Sequence, residues 1–230
     1  MVRVSVVIPT YNRKEFFDQA LETVRVQTHE PLECIVVDDG STDGTREFLE
    51  SLDYDDLRAI YFDENRGQSV ARNAGIEASD GKYVMFLDSD DILYPHVAET
   101  LVEAVEDQPE DCVGAFASKK IVTNRGREKN RRIPPGLMTD PTIENARAIG
   151  GLSSTMFMRS VLEEVDGFDE SLSRRVDIDL YIRILKLYSL LGVDEICCER
   201  RIHDSQISKE GEKVRESYRR IAEKHRNQYG

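Results

Sequence analysis

The sequence predicts a single α/β domain built on a doubly wound, mostly parallel sheet with helices on both faces. In the first half of the chain, short apolar, β-branched runs alternate with stretches whose apolar residues recur at helical spacing. Several of these runs end abruptly in aspartates, which is typical of strands whose carboxyl ends border a ligand crevice. With 230 residues, of which 40% are hydrophobic and 33% charged, the chain is long enough for one substantial core.

Five runs in the first half are predicted strands, and they lie at 4–8, 34–37, 59–62, 83–87 and 113–117. We expect Pro9 to stop the first of them. Amphipathic helices are predicted between the strands, with apolar faces at Phe17, Ala20, Leu21 and Val24, at Phe48, Leu49 and Leu52, and at Val97, Leu101, Val102 and Val105. This alternation of strand and helix favours a parallel sheet.

The second half alternates less regularly. Strands are predicted at 155–158 and 193–202, and a helix that begins at Asp177 places Ile178, Ile182 and Leu185 on its core face. The stretch 209–226 predicts a charged helix with little apolar content, which we expect to be peripheral. No internal repeat and no separate second domain is evident in the sequence.

The central predicted strand, 83–87, ends in three carboxylates within four residues, at Asp88, Asp90 and Asp91. Clustered anions repel one another unless a cation lies between them. Hard oxygen ligands of this kind suit Mg²⁺ or Mn²⁺ brought in with a phosphate-bearing substrate. The alternative is a turn in which Asp90 or Asp91 caps the helix that begins near Pro95. Capping accounts for one aspartate and leaves two unexplained, so we favour the metal site.

Two further segments offer candidate ligand contacts. Asp38 and Asp39 follow the second strand, where an acid can reach the ribose or base of a nucleotide; Ser41 or Asp43 can also cap the next helix. Arg66 and Arg72 precede the central strand and are suited to an anionic ligand. The segment after the first strand, 10–13, contains no glycine, so the dinucleotide-binding fingerprint is absent.

A basic block interrupts this acidic chain at 119–132. It carries seven basic residues against the single acid Glu128: Lys119, Lys120, Arg125, Arg127, Lys129, Arg131 and Arg132. Such a block is typical of a solvated mobile loop, but it also suits a lid or a loop that binds an anionic acceptor. Both interpretations remain open at this point.

Composition excludes several classes of protein. A formal charge of −13 argues against a nucleic-acid binder or a general binder of anionic membranes. The four cysteines show neither a disulfide framework nor zinc-ligand spacing. No apolar run approaches the roughly 20 residues that span a bilayer, and the chain opens directly into a strand, so we expect a soluble, cytoplasmic protein.

Taken together, the segments 5–12, 36–43, 71–76, 86–91 and 167–170 resemble the inverting glycosyltransferases of family 2, which have the GT-A fold. The resemblance implies a metal-dependent enzyme that moves a sugar from a nucleoside diphosphate to a hydroxyl acceptor. The acceptor would be of the glycan, glycolipid or polyprenyl-phosphate type, anionic or lipid-linked, and a peripheral contact with the inner face of a membrane is compatible with it. Residues 1–118 would form the nucleotide-sugar half, 119–136 a basic loop, and 137–230 the acceptor side with the C-terminal helix.

The resemblance also implies residue roles. Residues that would contact the nucleotide-sugar are Pro9, Thr10, Tyr11, Asp39, Arg72, Asp88 and Ser89. Asp90 and His203 would hold the Mn²⁺ or Mg²⁺. Asp177 would be the general base, since it occupies the aspartate of the family's Glu-Asp motif, in which Val176 replaces the glutamate. Whether Asp177 or Asp179 faces the acceptor is left open.

Two other functions remain to be weighed. A non-catalytic nucleotide-sugar-binding protein gains some support from Val176, which cannot accept a proton. A nucleotidyltransferase is expected to carry a glycine-rich basic loop after its first strand, and this chain has Pro9, Thr10, Tyr11 and Asn12 there.

Overall fold

The computed structural model describes residues 2–54, 56–123, 125–133, 135–202 and 211–226. Within them one sheet contains the strands β1 (Val4–Thr10), β2 (Leu32–Asp38), β3 (Leu57–Tyr61), β4 (Tyr83–Phe86), β5 (Ile92–Leu93), β6 (Cys112–Thr123), β7 (Glu128–Arg131), β8 (Gly136–Met138), β9 (Thr155–Met158) and β10 (Ser189–Ile202). The helices are α1 (Lys14–Arg25), α2 (Thr45–Glu50), α3 (Gln68–Ala78), α4 (Val97–Glu106), α5 (Ile143–Ile149), α6 (Arg159–Glu164), α7 (Val176–Leu185) and α8 (Glu212–Arg226).

The strands follow the order β3-β2-β1-β4-β9-β6-β10-β5, with β7 paired to β6 and β8 paired to β10. β1 pairs in parallel with both β2 and β4, β2 with β3, and β6 with β10, whereas β9 is antiparallel to β4 and β6. The prediction of an α/β fold with a mostly parallel sheet is therefore confirmed.

Helices cover both faces of the sheet. Successive strand residues point to opposite sides, and since the central strands β1 and β4 carry apolar residues on both sides, both of their faces must be buried. Val7 and Phe86 belong to one buried cluster, which also includes residues of α3, α6 and α7. Their chain neighbours Val6 and Met85 belong to the other cluster, which includes residues of α1 and α4. The apolar faces predicted for α1 and α4 are the ones that are buried.

Contrary to the prediction, the first strand does not stop at Pro9 but continues to Thr10. Pro9 lies opposite Val37 in the β1–β2 register, and Thr10 lies opposite Asp38. A proline is tolerated near the end of a strand, where one missing donor costs little. The consequence is that Thr10 and Asp38 lie side by side at the carboxyl edge of the sheet.

The stretch 119–136, predicted as a loop, is largely strand. β6 continues to Thr123 and pairs with β10 on one side and with β7 on the other, so that β6 and β7 form a hairpin. The apolar residues Ile121 and Val122 are β-branched and interrupt the charges, a signal that the count of basic residues concealed. Lys119 is the last residue of the buried part of β6 and is only 1% exposed.

The C-terminal helix is also less peripheral than predicted. Val214, Ser217, Ile221 and His225 form a buried stripe on α8, at the spacing of one helix face. None of the helices that the structure describes is both long enough and apolar enough to cross a bilayer.

Candidate active site

A cavity of about 1050 Å³ opens at the carboxyl edge of the sheet. Small-molecule sites typically have volumes of about 300–1,000 Å³. Predicted site residues that line this cavity are Pro9, Thr10, Tyr11, Asp39, Arg72, Asp88, Ser89, Asp90 and Asp177. His203, predicted as a second metal ligand, lies outside the described residues.

The ends of β1 and β2 form one wall of the cavity. The Thr10 hydroxyl is buried and has no hydrogen-bond partner among the described residues, so it is available to a ligand. The Asp39 carboxylate accepts hydrogen bonds from the backbone N–H groups of Arg66 (2.6 Å) and Gly67 (2.9 Å) and from Asn65 Nδ2 (3.0 Å). Asp39 therefore fixes the segment that leads into α3. Burial raises the pKa of Asp39, and the two backbone hydrogen bonds oppose this.

Capping and ligand binding are divided between the acids of the β2–α2 segment. Asp43 Oδ1 accepts hydrogen bonds from the backbone N–H (3.1 Å) and hydroxyl (2.5 Å) of Thr45, the first residue of α2. Ser41 Oγ instead accepts from the backbone N–H of Asn12 at 2.9 Å and so ties the segment to the one after β1. The N-cap residue of α2 is Gly44, so Asp43 binds the first residue of the helix from one position earlier, and Asp39 lines the cavity.

Arg72 connects α3 to the acids that follow β4. Its guanidinium is buried, with Nη2 donating to Asp88 Oδ1 at 2.7 Å and Nη1 donating to Gln68 Oε1 at 2.9 Å. Its Nε has no hydrogen-bond partner among the described residues. One edge of the guanidinium therefore orients Asp88, while positive charge remains at the cavity wall.

The three acids at the end of β4 lie close enough to affect one another. Burial raises the pKa of Asp91 to about 8, and the charges of Asp88 and Asp90 contribute to the rise. Asp91 Oδ1 accepts a hydrogen bond from the backbone N–H of Arg201 at 3.1 Å, which joins the acid segment to β10. The N-cap residue of α4 is His96, and in the first turn of the helix the backbone N–H of Ala98 donates to Gln27 Oε1 at 3.3 Å, so the capping alternative for these acids is not supported.

This donor set suits a hard divalent cation. Asp88 and Asp90 line the cavity and offer carboxylate oxygens, which Mg²⁺ and Mn²⁺ prefer as protein ligands. The mutual repulsion that contributes to the raised pKa of Asp91 is what a bound cation would offset.

The first turn of α7 separates Asp177 from Asp179. Asp177 is partly buried and lines the cavity. Burial raises its pKa, while the Ile178 amide and the positive charges of Arg175 and Arg72 act in the opposite sense. The helix starts from Arg175, whose φ of +57° is uncommon for a residue with a side chain.

Asp179 points away from the cavity into a buried ionic cluster. It is fully buried and accepts a hydrogen bond from Arg183 Nε at 2.8 Å. Lys224 Nζ and His225 Nε2, both on α8, lie 3.0 Å and 2.9 Å from its Oδ1. These partners hold the pKa of Asp179 well below its usual range, against the effect of burial. The geometry therefore brings Asp177, and not Asp179, to the acids of β4.

Comparison with known proteins identifies the family. Residues 5–166 match the model described as Glycosyl transferase family 2. The chain is 31% identical over 210 residues to TuaG of Bacillus subtilis (strain 168), named as a teichuronic acid biosynthesis glycosyltransferase; the match covers 89% of this chain and 81% of TuaG. The chain belongs to glycosyl transferase family 2.

Solved structures of glycosyltransferases share the fold of this family 2 enzyme. TarS 1–349 of S. aureus, in complex with UDP-GlcNAc, matches 96% of this chain and 65% of its own length with a TM-score of 0.74 at 24% identity. The mannosyltransferase PcManGT from Pyrobaculum calidifontis, in complex with GDP-Man and Mn²⁺, matches 89% of this chain and 58% of its own length, with a TM-score of 0.69 at 20% identity. The likeness establishes a GT-A type fold.

Some relatives are much longer than this glycosyltransferase chain. An uncharacterized glycosyltransferase of Rickettsia felis is 32% identical over 210 residues, which make up 87% of this chain but only 33% of that protein.

Several residues of the cavity were not predicted from the sequence. The cavity is also lined by Arg147 of α5, by Arg175 immediately before α7 and by Tyr218 of α8. Of the seven basic residues in the block 119–132, only Lys119 and Arg131 reach it. Lys119 Nζ donates to the backbone carbonyls of Gly151 (2.9 Å) and Ser153 (3.3 Å), and so holds the segment before β9.

Proposed function

We propose that this family 2 glycosyltransferase moves a sugar from a nucleoside diphosphate to a hydroxyl acceptor, with a divalent cation and with inversion at the anomeric carbon. The observation that carries the proposal is that one cavity contains both the Asp88–Asp90 acids and the partly buried carboxylate of Asp177. The complexes of TarS with UDP-GlcNAc and of PcManGT with GDP-Man and Mn²⁺ support a nucleotide-sugar donor and a divalent metal.

The donor would lie along the carboxyl ends of β1, β2 and β4. Thr10 offers an unpartnered buried hydroxyl, and Tyr11 offers a half-exposed ring for a base or ribose. Arg72 donates to Asp88 and holds it in place. Asp88 would contact the ribose, and Asp90 would hold the cation. A bound divalent cation stabilises the negative charge that develops on the departing diphosphate.

Asp177 would act as the general base. Its carboxylate accepts the proton of the acceptor hydroxyl while the hydroxyl oxygen forms a bond to the anomeric carbon. The bond from that carbon to the diphosphate oxygen breaks, and the electron pair leaves with the diphosphate. Because no covalent sugar–enzyme intermediate forms, the anomeric configuration inverts.

The replacement of glutamate by Val176 is compatible with this chemistry. Val176 is buried in the cluster formed by α7, β4 and β9, where it packs as a core residue. The base therefore depends on Asp177 alone in this motif, and the positive charges of Arg175 and Arg72 favour its ionised form.

Acceptor-independent hydrolysis tests the enzyme against a non-catalytic nucleotide-sugar-binding protein. UDP-sugars and GDP-sugars are incubated with the protein and Mn²⁺, with Mg²⁺ in a parallel series, and the released nucleoside diphosphate is measured. We expect slow, metal-dependent release of the nucleoside diphosphate from either the UDP-sugars or the GDP-sugars, but not from both. Tight donor binding without release, in wild type and with every metal tested, would favour the non-catalytic binder.

The stereochemical part of the proposal has its own test. Once an acceptor is found, the anomeric configuration of the product is compared with that of the donor by NMR. We expect the opposite configuration, and a product that retains the donor's configuration would exclude the single-displacement mechanism.

A further inference from the structure

Three arginines meet on the Asp177 side of the cavity, and they come from three separate parts of the chain. Arg131 lies at the end of β7, Arg147 in α5 and Arg175 immediately before α7. The negative charge of Asp177 acts to raise the pKa of Arg131, and the positive charge of Arg175 acts to lower the pKa of Asp177. The cluster is therefore close to the carboxylate that we propose as the base.

Within the described part of the chain, the three arginines of this cluster lack a carboxylate in direct contact, although Asp177 acts on Arg131 and Arg175 at longer range. Among the described residues, none forms a salt bridge with Arg131, Arg147 or Arg175. Two other arginines do have such partners: Arg72 pairs with Asp88, and Arg183 pairs with Asp179. In a chain of formal charge −13, three cavity arginines that lack a salt bridge to any described residue are suited to an anionic ligand.

Neutral contacts hold these guanidiniums in place. Arg131 Nη2 donates to the backbone carbonyl of Arg147 at 2.5 Å, and its guanidinium lies against Gly150, where an added Cβ would be 3.1 Å from Nη1. Arg147 and Arg175 both lie over the ring of Tyr218. The distance from Cζ to the ring centroid is 5.8 Å for Arg147 and 5.6 Å for Arg175. Carbonyl and aromatic contacts orient an arginine without neutralising its charge.

We infer that Arg131, Arg147 and Arg175 form a binding site for an anionic group of the acceptor, a phosphate or a carboxylate, next to the hydroxyl that Asp177 deprotonates. This inference rests on the proposed function and adds the chemical class of the acceptor. Guanidinium groups bind both anions with paired hydrogen bonds, so the shared chemistry is an oxyanion. The donor diphosphate is assigned to the Asp88–Asp90 side instead, where Arg72 already has a carboxylate partner.

The test uses inorganic phosphate and acetate as probes. The full chain is first saturated with Mn²⁺ and with UDP or GDP, whichever raises the melting temperature, and is then titrated with each probe by calorimetry. We expect at least one probe to bind this complex without displacing the nucleotide. Stronger binding of phosphate indicates a phosphate-bearing acceptor, and stronger binding of acetate indicates a carboxylate-bearing one.

Neighbouring arginines provide a matched control. Arg131→Gln and Arg147→Gln should each weaken probe binding about tenfold, because a lost hydrogen bond to a charged group has roughly that effect. Arg132→Gln should leave binding unchanged, since Arg132 is exposed and pairs with Asp194 at 3.3 Å. Arg147 is exposed at the cavity rim, so its variant is not expected to disturb folding.

Several outcomes would overturn the inference. The first is that neither probe binds to the nucleotide-bound protein, and the second is that the probe displaces the nucleotide. The third is that Arg131→Gln, Arg147→Gln and Arg132→Gln have equal effects on probe binding. Failure of the proposed function is distinguishable, because it appears as no Mn²⁺-dependent binding of UDP or GDP and no donor hydrolysis. In that case the probes are titrated into the protein alone, and arginine-dependent binding would still support an anion site.

Discussion

At the scale of single residues, the direction of two aspartates two positions apart decides which one can take part in catalysis. On a helix, side chains at i and i+2 diverge by about 200°. Asp177 lines the cavity, and Asp179 is buried against Arg183 and α8. The two carboxylates therefore have opposite pKa shifts: burial raises the pKa of Asp177, whereas the hydrogen bond with His225 and the charges of Arg183 and Lys224 lower the pKa of Asp179.

The first prediction concerns Asp177→Asn, which keeps the size of the side chain and removes its ability to accept a proton. We expect kcat to fall by roughly 10²–10⁴, the usual contribution of a positioned base. The affinity for Mn²⁺ and for the nucleoside diphosphate should be unchanged, since these are assigned to the Asp88–Asp90 side. Steady-state kinetics measures the change in kcat, and calorimetry measures the affinities for Mn²⁺ and for the nucleoside diphosphate. Near-normal turnover in Asp177→Asn would place the base elsewhere.

The second prediction concerns the pH dependence of the reaction. A base acts in its deprotonated form, so kcat/KM for the acceptor, at saturating Mn²⁺ and donor, should rise with pH as Asp177 loses its proton. Because burial raises the pKa of Asp177, this rise should lie above the usual range of an aspartate, about 3.9. Arg175→Gln removes a nearby positive charge and should move the rise to higher pH. A movement to lower pH in that variant would contradict the electrostatic argument.

At the scale of elements, α8 is attached to α7 through a buried ion cluster as well as through apolar packing. Lys224 and His225 reach Asp179 from one face of α8, and Ile221 is buried one turn earlier. Tyr218 of the same helix lies under Arg147 and Arg175 of the cavity. Docking of α8 therefore connects a stability determinant to the wall of the site.

The third prediction is that Asp179→Asn destabilises the protein at neutral pH by about 2–3 kcal/mol, because Asp179 is fully buried and Arg183, Lys224 and His225 all lose the carboxylate that they contact. The control is Asp169→Asn. Asp169 pairs with the same Lys224 at 2.6 Å but is partly exposed, and we expect a loss of about 1 kcal/mol or less. Denaturant unfolding measures both. Equal effects of the two variants would show that the ion cluster contributes little.

The same cluster has a defined pH dependence. The folded-state pKa of Asp179 is lowered, so its contribution to stability is fully present above the unfolded-state pKa of about 3.9. It is lost as the pH falls from that value toward the folded-state pKa. The difference in unfolding free energy between wild type and Asp179→Asn should therefore shrink below about pH 4. A difference that stays constant into this acid range would contradict the assignment.

At the scale of the whole molecule, the sheet carries the parts of the site to one edge. The ends of β1, β2 and β4 supply Thr10, Asp39 and the acids after Phe86, because these strands run in parallel. The segment before α7 and the helices α5 and α8 close the other side of the cavity. Binding at the edge should therefore stabilise the folded domain as a whole.

The fourth prediction is that Mn²⁺ and nucleoside diphosphate together raise the melting temperature more than either does alone. At a ligand concentration of 100 times Kd, linkage gives about 2.7 kcal/mol of stabilisation. Asp90→Asn should remove the metal-dependent part and leave the melting temperature of the free protein nearly unchanged, since Asp90 is partly exposed at the cavity. A thermal shift assay with UDP and GDP checks this. The same metal-dependent increase in Asp90→Asn would refute the metal assignment.

The sequence by itself determined the class of fold, most of the elements and half of the site. Alternating strand and helix patterns predicted the mostly parallel sheet, and acids directly after apolar runs predicted Asp88 and Asp90 at its edge. These are local signals, since the strand and the ligand-binding residues are adjacent in the chain. The family resemblance added Asp177, which the structure brings to the same cavity.

Only the tertiary structure decided which residues complete the other half of the site. α7 is buried on nearly every side, so its sequence has no polar face that would distinguish Asp177 from Asp179. Arg131, Arg147 and Arg175 meet although they are separated along the chain, and no local pattern records such a meeting. The seven basic residues of the block 119–132 look alike in the sequence, but strand pairing places Lys119 opposite Arg131 and brings these two to the cavity. The physical reason is that burial and proximity depend on packing between distant elements, which local periodicity does not encode.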